Sequence, residues 1–108
     1  MNTKIWKYEI LPNSVRDGQY PIEVTAPRGA RPLHVALQHG IPCLWMEVDP
    51  DQPKVRQTVL LCVGTGFGSV PTEYDDPGTP GIAVPRWRYF ASLQEGSFVW
   101  HLYARNQG

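Results

Sequence analysis

Residues 33–48, LHVALQHGIPCLWMEV, decide the fold class of this chain. Both halves of the stretch, Leu33–Gln38 and Cys43–Val48, are short, rich in apolar residues and suited to an extended strand with alternating faces. The residues between them, 39–42, include Gly and Pro, which favour a reversal of the chain. The stretch therefore predicts a β-hairpin, the clearest one in the sequence.

The same pattern of short β-type runs bounded by Gly, Pro or Asp continues along the chain. Its 11 prolines and 10 glycines leave no window of about 12 residues with a helical apolar period. The proline in the run beginning at Tyr20 favours an edge strand, whereas the apolar run ending at Val63 favours a central one. We expect an all-β fold with little helix, a small antiparallel sandwich or partly open barrel of about seven strands. The remaining strands are predicted at 5–10, 20–24, 57–63, 87–93 and 97–103. In the first of these, Trp6, Tyr8 and Ile10 alternate with Lys7 and Glu9, which predicts the three apolar side chains on one face.

Length and composition predict one domain that spans residues 1–108. A chain of 108 residues with 42% hydrophobic residues suffices for one compact core. Residues 69–85 hold several prolines and glycines and are predicted to form one long irregular loop. Cys43 and Cys62 lie inside apolar runs, which favours buried free thiols over a disulfide.

The balance of positive and negative charges argues against partners that are recognised only by their overall charge. Ten basic and ten acidic residues give no net field toward a nucleic-acid backbone or an anionic membrane. No run reaches the roughly 20 apolar residues that span a bilayer, and the polar start lacks the apolar centre of a signal peptide. We therefore expect no generic nucleic-acid binding, no membrane association and a cytoplasmic location.

The chain contains a series of short motifs in a fixed order. They are Ile5-Trp6-Lys7-Tyr8, Pro27-Arg28-Gly29-Ala30, Pro42-Cys43-Leu44-Trp45, Val48-Asp49-Pro50, Gly64-Thr65-Gly66 and Phe98-Val99-Trp100-His101-Leu102-Tyr103. This series resembles a family of small β-rich proteins encoded by phages and prophages. The similarity covers nearly the whole chain, and the family has no assigned function. It implies a single β-domain, a phage context and the cytoplasm of a bacterial host, and it carries over no catalytic residue. Residues 69–85 are longer here than in the usual pattern.

The first candidate functional site would bind a small ligand. Gly64, Thr65 and Gly66 follow a strand and could present backbone N–H groups to a phosphate, although a tight turn or bulge explains them too. Arg86 and Arg88 could clamp that phosphate, and solvent-facing arginines on a strand are the alternative. These five residues form a hypothetical nucleotide-like ligand site.

Catalytic, metal and cofactor chemistry find no support in the sequence. The three histidines and two cysteines lack the paired spacing of a zinc site. The serines lack a nucleophile motif, and the acidic residues near position 75 lack the order of a calcium loop. We expect no metal, no cofactor and no enzyme activity. His101 is interpreted as a cross-strand packing residue on a semi-exposed face.

The aromatic content points to protein partners. Four tryptophans and five tyrosines exceed what one small sheet must bury, and such residues are enriched at interfaces. Tyr74, Trp87 and Tyr89 are the predicted interaction surface, and homo-oligomerisation is expected because it would protect sheet edges. We expect a non-enzymatic phage-type protein that binds a host defence or regulatory protein. Capture of a nucleotide-like small molecule is the alternative, and a structural role in the virion is a weaker one.

Overall fold

The described chain consists of β-strands, each antiparallel to its neighbours. A computed structural model describes residues 2–10, 20–66, 70–71, 74–75 and 84–105. Within these ranges there is no helix, and hence no helix that could cross a membrane. The strands are β1 (Lys4–Glu9), β2 (Tyr20–Pro27), β3 (Arg31–Gln38), β4 (Ile41–Val48), β5 (Lys54–Gly64), β6 (Tyr74–Asp75), β7 (Val84–Pro85), β8 (Trp87–Glu95) and β9 (Phe98–Arg105).

Sheet A contains three strands in the order β1-β4-β3. Its register places Trp6 opposite Met46 and Tyr8 opposite Leu44, so these four side chains share the inner face. The alternation that predicted Trp6 and Tyr8 on one face is confirmed.

Sheet B contains four strands in the order β2-β5-β9-β8. The predicted edge position of β2 is confirmed, and so is the central position of β5, which pairs on both sides. A register shift between Ile22 and Glu23 bends β2 relative to β5.

The two sheets pack face to face around one apolar core, as the sequence predicted, and they do not close into a barrel. Sheet A contributes Leu44 and Met46, and sheet B contributes Leu60 and Leu102, all of which are 0% exposed. Burying one such side chain contributes about 1.5–3 kcal/mol.

The hairpin predicted at residues 33–48 is confirmed, with a shorter turn than the sequence indicated. Only His39 and Gly40 form the turn, because Gln38 already pairs with Ile41. Their φ angles are 52° and 77°, as a two-residue hairpin of type I′ requires. The predicted connection at 39–42 was therefore two residues too long.

The two cysteines are buried and free, as predicted. Cys62 lies in the core, and burial raises the pKa of its thiol from the ordinary 9.0 to about 12. The Cys43 Sγ lies 3.4 Å from the carbonyl oxygen of Ile41.

Most of the predicted loop at 69–85 lies outside the described residues. Its described part contains β6 and β7, which pair with each other as a short ribbon through Tyr74–Pro85 and Asp75–Val84.

Candidate functional site

His101 lies at the centre of the outer face of sheet B. On β9 it alternates with Trp100 and Leu102, which enter the core, so its ring projects away from the core. The register places it between Val63 of β5 and Ser92 of β8. Three neighbouring strands therefore meet at this imidazole.

Both ring nitrogens of His101 contact hydroxyl groups. The Nε2 atom lies 2.7 Å from Thr65 Oγ1, and the Nδ1 atom lies 3.1 Å from Ser92 Oγ. The chain of contacts continues from Ser92 to the Tyr89 hydroxyl at one end. At the other end, Thr65 Oγ1 donates to the carbonyl oxygen of Val99 at 3.3 Å.

The last of these bonds decides how the other protons can be arranged. Thr65 has a single hydroxyl proton, and in the arrangement where Val99 O accepts it at 3.3 Å, Thr65 accepts from His101 Nε2–H. The neutral ring then accepts at Nδ1 from Ser92, and Ser92 accepts from Tyr89. We assign the Nε2–H tautomer to His101, since it satisfies all four bonds at once.

A cavity of about 200 Å³ opens beside this chain of hydroxyls. Val63, Val70 and Tyr103 form its apolar walls. Its polar side comprises Thr65 and His101, with the glycine backbone at 64 and 66. The cavity therefore combines a small apolar recess with hydrogen-bonding groups at one side.

Two tyrosines extend the apolar surface next to the cavity. Tyr89 and Tyr103 are opposite each other on β8 and β9, and their rings meet edge to face with centroids 5.7 Å apart. Tyr89 is 53% exposed, and amphipathic rings of this kind are enriched at protein interfaces. We call the surface formed by Thr65, Tyr89, Ser92, His101 and Tyr103 the His101 face.

Comparison with known proteins places this fold and surface in a family. The family model described as "Domain of unknown function (DUF7352)" matches residues 1–108. The chain belongs to this family. No curated protein and no solved structure matches it. Because the match spans the whole chain, the His101 face is part of the DUF7352 domain itself.

Three of the sequence-predicted ligand residues meet at the cavity of this DUF7352 domain. Gly64 ends β5, and Thr65 and Gly66 form the turn after it, where Gly66 has a φ of 80°. The turn interpretation of these residues therefore agrees with the structure. The Thr65 N–H is bonded to Val99 O at 3.1 Å, so it is not available to an anion.

The two predicted arginines do not join that cavity. Arg88 pairs with Ala104, whose side chain enters the core, so Arg88 lies on the opposite face of sheet B from His101. Arg86 lies between β7 and β8, is half-buried and has an interaction partner. The structure brings together the glycine turn and His101, and leaves Arg88 apart.

The predicted aromatic surface divides into three different environments. Tyr89 is exposed on the His101 face, as described above. Trp87 is only 7% exposed, with the Arg105 guanidinium 5.0 Å from the centre of its ring, and it offers little surface. The backbone of Tyr74 belongs to β6, and its side chain lies outside the described residues.

Sequence reasoning missed the Ser92–His101–Thr65 chain of hydrogen bonds. A two-residue turn at Gly96 and Ser97 sets the β8–β9 register and brings Ser92 opposite His101, although the two lie nine positions apart. A two-residue turn at these positions was the signal in the sequence from which the pairing of Ser92 with His101 could have been predicted. The described residues contain no group of three His, Cys, Asp or Glu side chains that could hold a metal ion.

Proposed function

We propose that this protein is a non-enzymatic binding protein that docks the His101 face onto a protein partner. The observation that carries the proposal is the exposed Tyr89 ring beside a small cavity with hydrogen-bonding groups. Interface hot spots pair an aromatic anchor with a pocket that receives one partner side chain. The His101 face offers both features within one surface.

The volume of the cavity favours a side chain over a nucleotide. Pockets that bind cofactors or drug-sized ligands have volumes of about 300–1,000 Å³. The cavity beside His101 holds about 200 Å³. One protein side chain fits this space, whereas a nucleotide would have to lie mostly outside it.

The direction of the hydrogen bonds supports a role without catalysis. A nucleophilic hydroxyl must donate its proton to the base that activates it. In the assigned tautomer Thr65 accepts from His101 and donates to Val99 O, so Thr65 does not meet this condition. Ser92 donates to Nδ1 and meets it, but the described chain of bonds gives the imidazole no carboxylate that would orient it and stabilise its charged form.

We base the proposed identity of the partner on the resemblance of the sequence motifs to phage-encoded proteins. A phage-encoded binding domain acts in the cytoplasm of the bacterial host, and we propose a host defence or regulatory protein as its target. Phage origin, cytoplasmic location and host target form one proposal that rests on that resemblance. The His101 face supplies the surface for the contact.

The proposal is tested by quantitative capture with two matched variants. Tyr89→Ala removes an aromatic ring that is 53% exposed on the His101 face, and Phe98→Ala removes one that is 51% exposed on the other face of sheet B. Purified protein and both variants are immobilised and incubated with host lysate, and captured proteins are identified by mass spectrometry. We expect the natural chain and Phe98→Ala to capture the same specific host protein. Tyr89→Ala should capture at least tenfold less of it.

Two outcomes would reject this function. Capture of the same protein by all three chains in equal amounts would place the interface elsewhere. If the natural chain captures no enriched host protein, the proposal of a host target is rejected. Circular dichroism of each variant checks that the loss of capture does not reflect unfolding.

Capture of a small anionic ligand is the second candidate. It is favoured by one observation, the convergence of Gly64, Thr65 and Gly66 with His101 at the cavity. Native mass spectrometry of protein purified without refolding would show a bound nucleotide as extra mass. Calorimetric titration with ATP and with inorganic phosphate, on the natural chain and Thr65→Val, then tests the site. Binding that Thr65→Val abolishes would favour this candidate, and absence of extra mass and of heat would reject it.

A further inference from the structure

The outer edge of β1 has no partner strand among the described residues, and its protection against pairing is limited to the charged side chains of Lys4, Lys7 and Glu9. In sheets A and B, the edge strands are β1, β2, β3 and β8. The strands β2 and β3 contain prolines, and β3 and β8 contain register shifts, features that discourage pairing with another chain. The six residues of β1, KIWKYE, contain neither proline nor glycine and pair with β4 without a shift.

Alternate residues of β1 direct their backbone groups away from β4. The Ile10 N–H donates to Pro42 O at 2.9 Å, so Ile10 faces β4. In an antiparallel ladder the N–H and C=O of one residue point to the same side, and the side alternates along the strand. The backbone groups of Ile5, Lys7 and Glu9 therefore point to the open edge.

An open groove lies along this edge. It has a volume of about 430 Å³ and is lined by residues 5–8 of β1 with Thr25 and Lys54. Trp6 lies beneath the Lys54 ammonium, which is 5.8 Å from the centre of the indole ring. A strand added to β1 would enter this groove.

Charge selects one register for pairing with a second copy of β1. A two-fold axis through Trp6 would set Ile5 opposite Lys7, and an axis through Lys7 would set the two lysines opposite each other. An axis through Tyr8 sets Lys7 of each copy opposite Glu9 of the other. Opposite charges stabilise directly facing cross-strand positions, and like charges destabilise them. The axis through Tyr8 is the one that gives two ion pairs.

We propose that this protein forms a two-fold symmetric dimer in which the β1 edges of two copies pair antiparallel about Tyr8. The two copies of sheet A then form one continuous six-stranded sheet. Within one copy the Lys7 ammonium donates to the Gln38 side chain on the exposed face. In the dimer the carboxylate of Glu9 from the second copy is the stronger acceptor for it.

The register is tested directly by single cysteine substitutions. Tyr8 lies at a non-hydrogen-bonded pair on the axis, where Cα atoms of facing residues are about 4.5 Å apart and suit a disulfide. Tyr8→Cys should give a covalent dimer on a non-reducing gel after mild oxidation. Lys7→Cys should not, because its partner in this register is Glu9, and the unmodified chain controls for Cys43 and Cys62.

Charge exchange tests the same register without oxidation. Lys7→Glu and Glu9→Lys should each raise the dimer dissociation constant about tenfold, measured by sedimentation equilibrium. The double variant restores both ion pairs in exchanged order, and its dissociation constant should return to near that of the natural chain. Its recovery also shows that the single changes did not act by unfolding.

Three results would overturn the proposal. A chain that sediments as a monomer up to millimolar concentration does not pair at this edge. A cross-link at Lys7→Cys without one at Tyr8→Cys would move the axis. If the dimer dissociation constant is unchanged by both charge substitutions, the dimer uses another surface.

Discussion

The two faces of sheet B are built from alternate residues of the same strands, and they have opposite chemistry. On β9 the inner face carries Trp100 and Leu102 in the shared core, whereas the outer face carries His101 and Tyr103. The inner face is held by packing, and the outer face by a chain of hydroxyl and imidazole contacts. The comparison predicts that substitutions on the inner face mainly affect stability, and that substitutions at the candidate site on the outer face affect it less.

The largest expected effect comes from a truncation on the inner face. Leu102 is 0% exposed in the middle of β9, and Leu102→Ala should lower the free energy of unfolding by about 2–5 kcal/mol, because it loses packing and leaves a cavity. Urea denaturation followed by tryptophan fluorescence measures the change. His101→Ala, one position away on the outer face, serves as the comparison and should cost clearly less. Equal costs would contradict the separation of the two faces.

A smaller effect is expected from the hydroxyl at position 65. Thr65→Val keeps the shape of the side chain but removes both the acceptor for His101 and the donor to Val99 O. The free energy of unfolding should fall by about 1–3 kcal/mol, because each of the two hydrogen bonds contributes about 0.5–1.5 kcal/mol. Thr65→Ser keeps the hydroxyl and should remain within a few tenths of the natural chain by that same scale. A Thr65→Ser protein as unstable as Thr65→Val would indicate that the methyl group, not the hydroxyl, matters.

Measuring the tautomer of His101 examines the outer face directly and does not depend on a change in stability. Nitrogen chemical shifts of the uncharged ring should show a protonated Nε2 and an unprotonated Nδ1. Thr65→Val should alter the Nε2 shift, and Ser92→Ala the Nδ1 shift. The opposite tautomer would reverse the direction of the hydrogen-bond chain and make Thr65 a donor to the ring.

The thiol of the inner face has no effect on stability near neutral pH and acts only in alkali. Burial raises the pKa of Cys62 to about 12, above its ordinary value of 9.0. Below pH 9 the thiol is protonated in both folded and unfolded chains and adds no pH dependence. Between pH 9 and 12 the unfolded chain releases this proton and the folded chain keeps it, so stability falls as the pH rises.

Comparison with Cys62→Ala isolates the contribution of the thiol. The burial-raised pKa of Tyr8 acts in the same direction, and it is present in both proteins. The free energy of unfolding of Cys62→Ala should therefore decline less steeply than that of the natural chain over this range. Parallel declines would mean that the thiol does not titrate differently in the two states.

The sequence predicted the inner faces well and the outer faces poorly, for a physical reason. The alternation of Trp6 with Tyr8 and the apolar run that ends at Val63 identified the inner face of β1 and the central strand β5. Core positions follow from alternation along one strand, which is a local property. Placing His101 against Thr65 required the β5–β9 pairing across 36 residues, which no local pattern contains.

The predicted candidate residues illustrate the same limit. Alternation along β8 sets the consecutive residues Arg88 and Trp87 on opposite faces of the strand. Which face points inward depends on the partner strand, because Arg88 pairs with Ala104 and Trp87 with Arg105. The burial of Trp87 beneath Arg105 follows from that pairing and could not be predicted from the β8 sequence alone.

The most direct test of the His101 face as a docking surface is tyrosine-selective chemical labelling of the protein, free and bound to the captured host partner. Mass spectrometry quantifies the label on each tyrosine. We predict strong labelling of Tyr89 in the free protein and at least a fivefold reduction in the complex, with Tyr20 of β2 unchanged as an internal reference. Equal labelling of Tyr89 in both states would contradict the account.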